Sequence, residues 1–268
     1  VPIELAAITD PIWYAVDGVQ ARLRRRWPGL HADTAQAMAQ SLLAQRGPWL
    51  LRVRDGVVRI DVQGLIAATP AAPTVLSNGY TWPELATMIN SAAAVADVRV
   101  IILVIDSPGG TVVGLPLVVR AIQAARIMGR GVVAYIAGIA AGAAVAVAAH
   151  CDCVCASAAA TIGGVGNIRC LPGAWFPDWK GAYQCGTTRA AGTPPGELLQ
   201  GAGDAMLRSI AQVRRLSPRR AAELPRLGLV SAEGGEALGL VDAICELVPA
   251  IPDSNERTPD DRHEPLDP

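Results

Sequence analysis

Charge of one sign is the first thing this chain lacks. Twenty-three Lys and Arg stand against 24 Asp and Glu, leaving a net charge of −1 at neutral pH. Such a balance offers no electrostatic attraction for nucleic acid or an anionic membrane, and neither is expected as a partner. The basic run RLRRRWPG at 22–29, which carries Trp27, reads as a solvated helix face, because acidic residues offset it elsewhere. The first thirty residues lack a basic start followed by an apolar core, so no secretory leader is expected. Zinc-type cysteine spacing is also missing. Cys151, Cys153 and Cys155 are separated by single residues, and no second ligand pair follows. They read as buried free thiols on one face of a strand in a reducing compartment, so the expected localisation is cytoplasmic, with no metal and no cofactor.

A charge-free run does occur at 131–149, and its nineteen residues reach the length of a membrane span. Its three glycines, β-branched first half and alanine-rich second half predict strand, turn and buried helix instead. No membrane span is expected.

What the chain does have is apolar material for a sizeable core: 51% of 268 residues. Helix-like patterns cover 10–27 and 32–46, split at WPGLHAD. An alternating strand follows at 56–66, then a Pro-, Ser- and Asn-containing loop and a helix over 82–94. The β-branched run VRVIILVID at 98–106 suits a strand buried on both faces. A turn, a helix at 114–128, the strand GVVAYIA, a buried helix, the strand CDCVCAS and the Gly-rich TIGGVGN come next. A long helix begins near 197, and shorter helices and a closing strand end the pattern. The alternation predicts an α/β fold of βαβ units with a mainly parallel sheet. Three parts are expected: a helical segment 1–50 packed on the main domain, the domain itself at 51–248, and a proline-rich, disordered tail at 249–268.

The most specific motif is IDSPGG at 105–110, at the end of the buried strand. Consecutive glycines let backbone approach a ligand and turn N–H groups toward a developing oxyanion. The surrounding NGYTWPELATMINSAAAVADVRVIILVIDSPGGTVVG, with DPIWYAV and VRIDVQGLI before it and ATIGGVGN and GEALGLVDAI after it, resembles the signal peptide peptidase family. The likeness is greatest to its tailed-phage branch, the head maturation proteases called protein C, and runs from about residue 11 to 248. It implies a ClpP/crotonase-like fold, a homo-oligomer and a polypeptide substrate or a capsid or scaffold protein as partner. It also implies a host-cytoplasm or phage-head location, an oxyanion hole at Gly109 and Gly110, and ligand contacts at Ser107 and Pro108.

In that family a serine within AASAAY attacks and a lysine in a G-x-x-K pattern removes its proton. Here AAGAAV at 140–145 places Gly142 at the nucleophile and Val145 at the tyrosine, and GTTR at 186–189 places Arg189 at the general base. Glycine has nothing to attack with, and a guanidinium stays protonated. Catalysis is expected to be impaired. Other candidates read blandly: Ser107 lies in the turn, Ser157 past a strand, Lys180 (the only lysine) in a solvated position, and His150 at a helix end as a cap or surface residue.

Two alternatives stand beside this reading. One is a non-catalytic capsid-assembly or peptide-binding protein. The other is a crotonase-like acyl-CoA enzyme, in which the Gly142 N–H would hold a thioester oxyanion. Such enzymes need acid and base carboxylates, yet between Asp106 and Asp178 the only acidic residue is Asp152.

Overall fold

The β-branched run at the middle of the sequence becomes the middle of a sheet. The computed structural model describes residues 12–15, 51–68, 78–111, 114–165, 168–170, 183–185, 194–224 and 228–247. In chain order these give β1 (Ile12–Ala15), β2 (Val53–Arg54), β3 (Val57–Gln63), α1 (Trp82–Ala94), β4 (Val100–Ser107), β5 (Gly109–Thr111), α2 (Leu115–Ile127), β6 (Gly131–Ala141) and α3 (Ala143–Ala149). Then come β7 (Cys153–Ala156), β8 (Thr161–Gly163), β9 (Ile168–Cys170), β10 (Tyr183–Cys185), α4 (Pro194–Val213), α5 (Pro218–Glu223), β11 (Leu229–Ser231), α6 (Ala232–Leu238) and β12 (Ala243–Ile244).

β3, β4 and β6 run parallel at the centre, and β2 closes one edge antiparallel to β3. At β6 the sheet divides. Its first half pairs in parallel with β7, which is followed by β12. Its second half pairs in parallel with β8, which carries β11 on its other side, antiparallel. The class is α/β with a mainly parallel sheet, as the alternation of elements predicts.

The division has a local cause. Opposite β4, the register passes from Ile105↔Ile136 to Ser107↔Ala140, so β6 bulges by two extra residues. The Asp106 carboxylate holds the bulge by accepting the Ile139 N–H at 3.0 Å. Bulges bend and twist a strand, and this one lets a single strand serve both halves of the sheet.

Helix α1 starts at a capping box. The Thr81 hydroxyl accepts the Glu84 N–H at 3.3 Å, and the Glu84 carboxylate accepts the Thr81 N–H at 2.6 Å. Its buried face includes Trp82, Leu85, Met88 and Ile89 against the sheet. The Trp82 indole N–H reaches the Thr111 carbonyl and hydroxyl at 3.2 and 3.1 Å, tying α1 to β5. A Cβ on Gly114 would lie 2.4 Å from the same indole, so only glycine fits there. Truncating so large a buried side chain costs about 3–5 kcal/mol.

The charge-free run 131–149 resolves into β6, a turn at Gly142 and α3, whose seven alanines and valines are all buried. Its apolarity reflects a helix enclosed by protein. Among the described residues no helix is long and apolar enough to cross a membrane.

The expectation of a helix over 10–27, and of a helical segment over 1–50, fails at Ile12–Ala15. These residues form β1, antiparallel to β5 and β9. Pairing with distant strands overrides a local helical pattern, and Ile-Trp-Tyr is β-prone in any case. Apart from β1, residues 1–50 carry no further described structure before Leu51, and the tail expectation at 249–268 also lies outside the described residues. Cys151 is corrected as well: it precedes β7 and is fully buried, whereas Cys153 and Cys155 lie on β7 and are half-buried.

Candidate functional site

The ends of β4 and β6, the start of α3 and the short strand β5 meet at one corner of the sheet. Gly142 sits between β6 and α3 with φ 55° and ψ −119°. Side chains other than hydrogen are strained at such a positive φ, and a sharp strand-to-helix turn of this kind carries the attacking residue in the α/β-hydrolases. Gly142 is buried, and its N–H donates to the Gly163 carbonyl at 3.0 Å. Gly163 is fixed from beyond: a Cβ there would fall 2.0 Å from the Gly228 carbonyl oxygen. The turn is therefore seated on β8, which is seated on β11.

Ser107 is fully buried beside this corner. Its hydroxyl donates to the Gly64 carbonyl at 2.6 Å and accepts the Gly109 N–H at 3.1 Å. A hydroxyl used twice in this way is a strut for the turn, in keeping with its reading as a non-nucleophile. Pro108 is buried next to it.

β5 has two flanks. On one, Ile66 donates to the Gly109 carbonyl at 3.0 Å and accepts from the Thr111 N–H at 2.8 Å. The approach is so close that a Cβ on Gly110 would lie 1.6 Å from the Ile66 oxygen. Strand alternation turns the Gly110 N–H and C=O to the opposite flank, where Tyr14 of β1 is its register partner. As the chain stands, the Gly109 amide is held by Ser107, and the Gly110 amide faces β1.

The carboxylates do not converge here. Asp106 caps the β6 bulge. Asp152 lies at the opposite end of β6, where it accepts the Val132 N–H at 2.7 Å and pairs with Arg126 at 2.5 Å. Arg126 also donates to the His150 carbonyl.

His150 caps α3 and is buried. Its Nδ1 lies 2.7 Å from the Ala146 carbonyl and its Nε2 2.9 Å from the Ser209 hydroxyl. A carbonyl only accepts, so Nδ1 carries the proton and Nε2 accepts from Ser209. Burial pushes its pKa down, the Ala146 bond raises it, and the Arg126 charge lowers it; the net direction is down. Of its two sequence readings, the helix cap holds and the surface residue does not. Ser157 is half-buried; its N–H extends the β6–β7 pairing to the Ile136 carbonyl at 2.9 Å, and its own carbonyl closes the following turn by accepting the Ala160 N–H at 2.9 Å.

Arg189, Lys180 and Asp178 lie outside the described residues. Among the described residues no group of three His, Cys, Asp or Glu is placed to hold a metal ion. Sequence reasoning missed the contributions of Gly64, Ile66 and β1. Only the double glycine of IDSPGG hinted that another backbone comes so close.

No protein-family description matches this chain, and no curated protein does. Solved structures do. An enoyl-CoA hydratase from Mycobacterium avium subsp. paratuberculosis K-10 is similar at 21% identity and a TM-score of 0.46, over 73% of this chain and 67% of its own. A putative enoyl-CoA hydratase/isomerase from Acinetobacter baumannii is similar at 18% identity and a TM-score of 0.47, over 75% and 76%. A ClpP1 mutant from Listeria monocytogenes is similar at 14% identity and a TM-score of 0.49, over 78% and 96%. What the chain's own topology establishes is the class, α/β with a mainly parallel sheet.

Proposed function

We propose that this chain is a polypeptide-binding relative of the signal peptide peptidases, nearest the tailed-phage head maturation proteases, whose Ser/Lys dyad has been replaced. Gly142 takes the nucleophile position and Arg189 the base position. The observation that carries the reading is the Gly142 turn. It has the backbone of a nucleophile-bearing strand-to-helix junction, and nothing is attached to it. The fully engaged Ser107 hydroxyl supports the same conclusion, since it removes Ser107 itself as a substitute nucleophile.

The proposed ligand is an extended polypeptide or a capsid or scaffold chain, gripped by main-chain bonds to Gly110, with Gly109 held in place beside it by Ser107 and Ile66. The chain acts in the host cytoplasm or phage head as a homo-oligomer. Ile127 and Met128, 87% and 50% exposed, supply apolar surface in keeping with self-association. A clean monomer by light scattering at micromolar concentration would remove the oligomer. The principal test is a fluorophosphonate probe together with casein hydrolysis: neither labelling nor cleavage above background is expected, and a labelled serine would overturn the reading.

A second reading, an acyl-CoA enzyme, is favoured by glycine itself at 142. Against it, the Gly142 N–H is already donated to Gly163, and Asp106 and Asp152 are engaged away from that turn. Calorimetry with an acyl-CoA separates the two, and no heat of binding is expected.

A further inference from the structure

We infer that β1 is a ligand strand held in cis: Ile12–Ala15 fills the position on β5 meant for an extended polypeptide, and its sequence indicates the class of segment the site accepts. The inference rests on the polypeptide-binding reading above. With one flank of β5 closed by Ile66, only the other can take an added strand. That flank holds β1, antiparallel, in the register Trp13↔Thr111, Tyr14↔Gly110 and Ala15↔Gly109.

Strand addition takes its affinity from main-chain bonds and its specificity from side chains. β1 therefore describes its competitors. They are extended, uncharged segments rich in aromatic and β-branched residues, lying antiparallel to β5. The residue facing Gly110 must carry an N–H, which excludes proline there. β1 has four residues, three with register partners on β5 and two with partners on β9, and ladders so short are cheap to open. Its tether nevertheless keeps it at an effective concentration on the order of mM. Micromolar free peptide does not displace it from the intact chain.

The test compares the full-length protein with its Tyr14→Pro variant, using a fluorescein-labelled peptide of this chain's own sequence DPIWYAV. The variant is expected to bind at least about tenfold more tightly by anisotropy, in line with loss of the tethered competitor. The Gly110 amide should be protected from hydrogen exchange in the parent, exchange freely in the variant, and regain protection with peptide. Equal binding by both proteins, or an equally protected Gly110 amide in both, overturns the inference.

Trp13→Cys with Thr111→Cys keeps the question answerable should Tyr14→Pro fail to fold. Opposed residues of an antiparallel pair lie within disulfide reach. The bridge should form, be found by peptide mapping, and block uptake until reduced; its failure to form also overturns the inference. An unrelated extended peptide of casein distinguishes the two levels. If only the chain's own segment binds the variant, β1 stands as a cis strand and the wider polypeptide-binding reading falls.

Discussion

Ser107 and Gly109 are joined across Pro108 by a hydrogen bond of 3.1 Å, the Gly109 N–H donating to the same hydroxyl that donates to the Gly64 carbonyl. The most recognisable motif of the sequence thus spends its only side-chain hydroxyl on its own shape.

Ser107→Ala should cost stability and leave no catalytic trace. Removing the hydroxyl strands the buried Gly109 N–H, at about 1–3 kcal/mol when unsatisfied, and takes the donor from the half-buried Gly64 carbonyl. Urea denaturation should show a loss in that range, with fluorophosphonate labelling absent before and after.

Gly110→Val should do more than crowd a ligand. The added Cβ meets the Ile66 carbonyl oxygen at 1.6 Å, a distance only backbone movement can relieve. The bridge between Ile66 and β5 must break, and a loss above about 4 kcal/mol or outright misfolding is expected. Circular dichroism and thermal melting check this directly, and a well-folded variant of unchanged Tm contradicts the described packing.

His150 makes stability fall with acid. Its folded pKa lies below its unfolded value, so in the window between them the unfolded chain binds more protons. The penalty is absent above about pH 6.5 and grows as pH falls toward the folded value. His150→Gln should flatten this slope in denaturation midpoints measured from about pH 7.5 down to about pH 5.

The thiols should separate by reactivity. Burial pushes Cys151 up to about 12, whereas Cys245 is exposed. Iodoacetamide on the native protein should modify Cys245 and spare Cys151 until the chain is denatured, since the thiolate is the reacting form. Native-state alkylation of Cys151, mapped by mass spectrometry, would contradict its enclosure.

Restoring chemistry should take two changes. Gly142→Ser places a hydroxyl on a strained φ, at about 1–3 kcal/mol, and under the proposed assignment of Arg189 to the base position it has only a protonated guanidinium for a partner. The double variant Gly142→Ser, Arg189→Lys should recover weak esterase activity, because a desolvated lysine titrates low enough to act as base. If the single variant hydrolyses as fast as the double, Arg189 is not at the base position.

The parts of this fold legible in the sequence are those that burial writes locally. A strand covered on both faces must be apolar throughout, so β4 could be read directly. The same logic separated β6 from α3 within an uncharged run. Pairings between distant backbones leave a fainter mark, because they ask for little in side-chain type. Thus Ile12–Ala15 read as helix, and Ile66 gave no sign that it borders Gly110. The two extra residues of β6 were equally silent, although Gly138 was their signature: a Cβ there would meet the Asp106 carboxylate at 2.5 Å. The Gly142 turn was legible only by likeness to a family motif, and its backbone angles came from the structure.

The seating of Gly142 on Gly163, and of Gly163 against Gly228 and Leu229, also sets an order of assembly. A ribosome delivers β6 and α3 long before it delivers β11, and chains begin to fold from the end made first. Until residues 228–231 emerge, β8 is paired on its β6 side alone, and the turn it supports lacks the backing of β11. The corner around Gly142 thus takes its final shape late in synthesis, after β11 has been made.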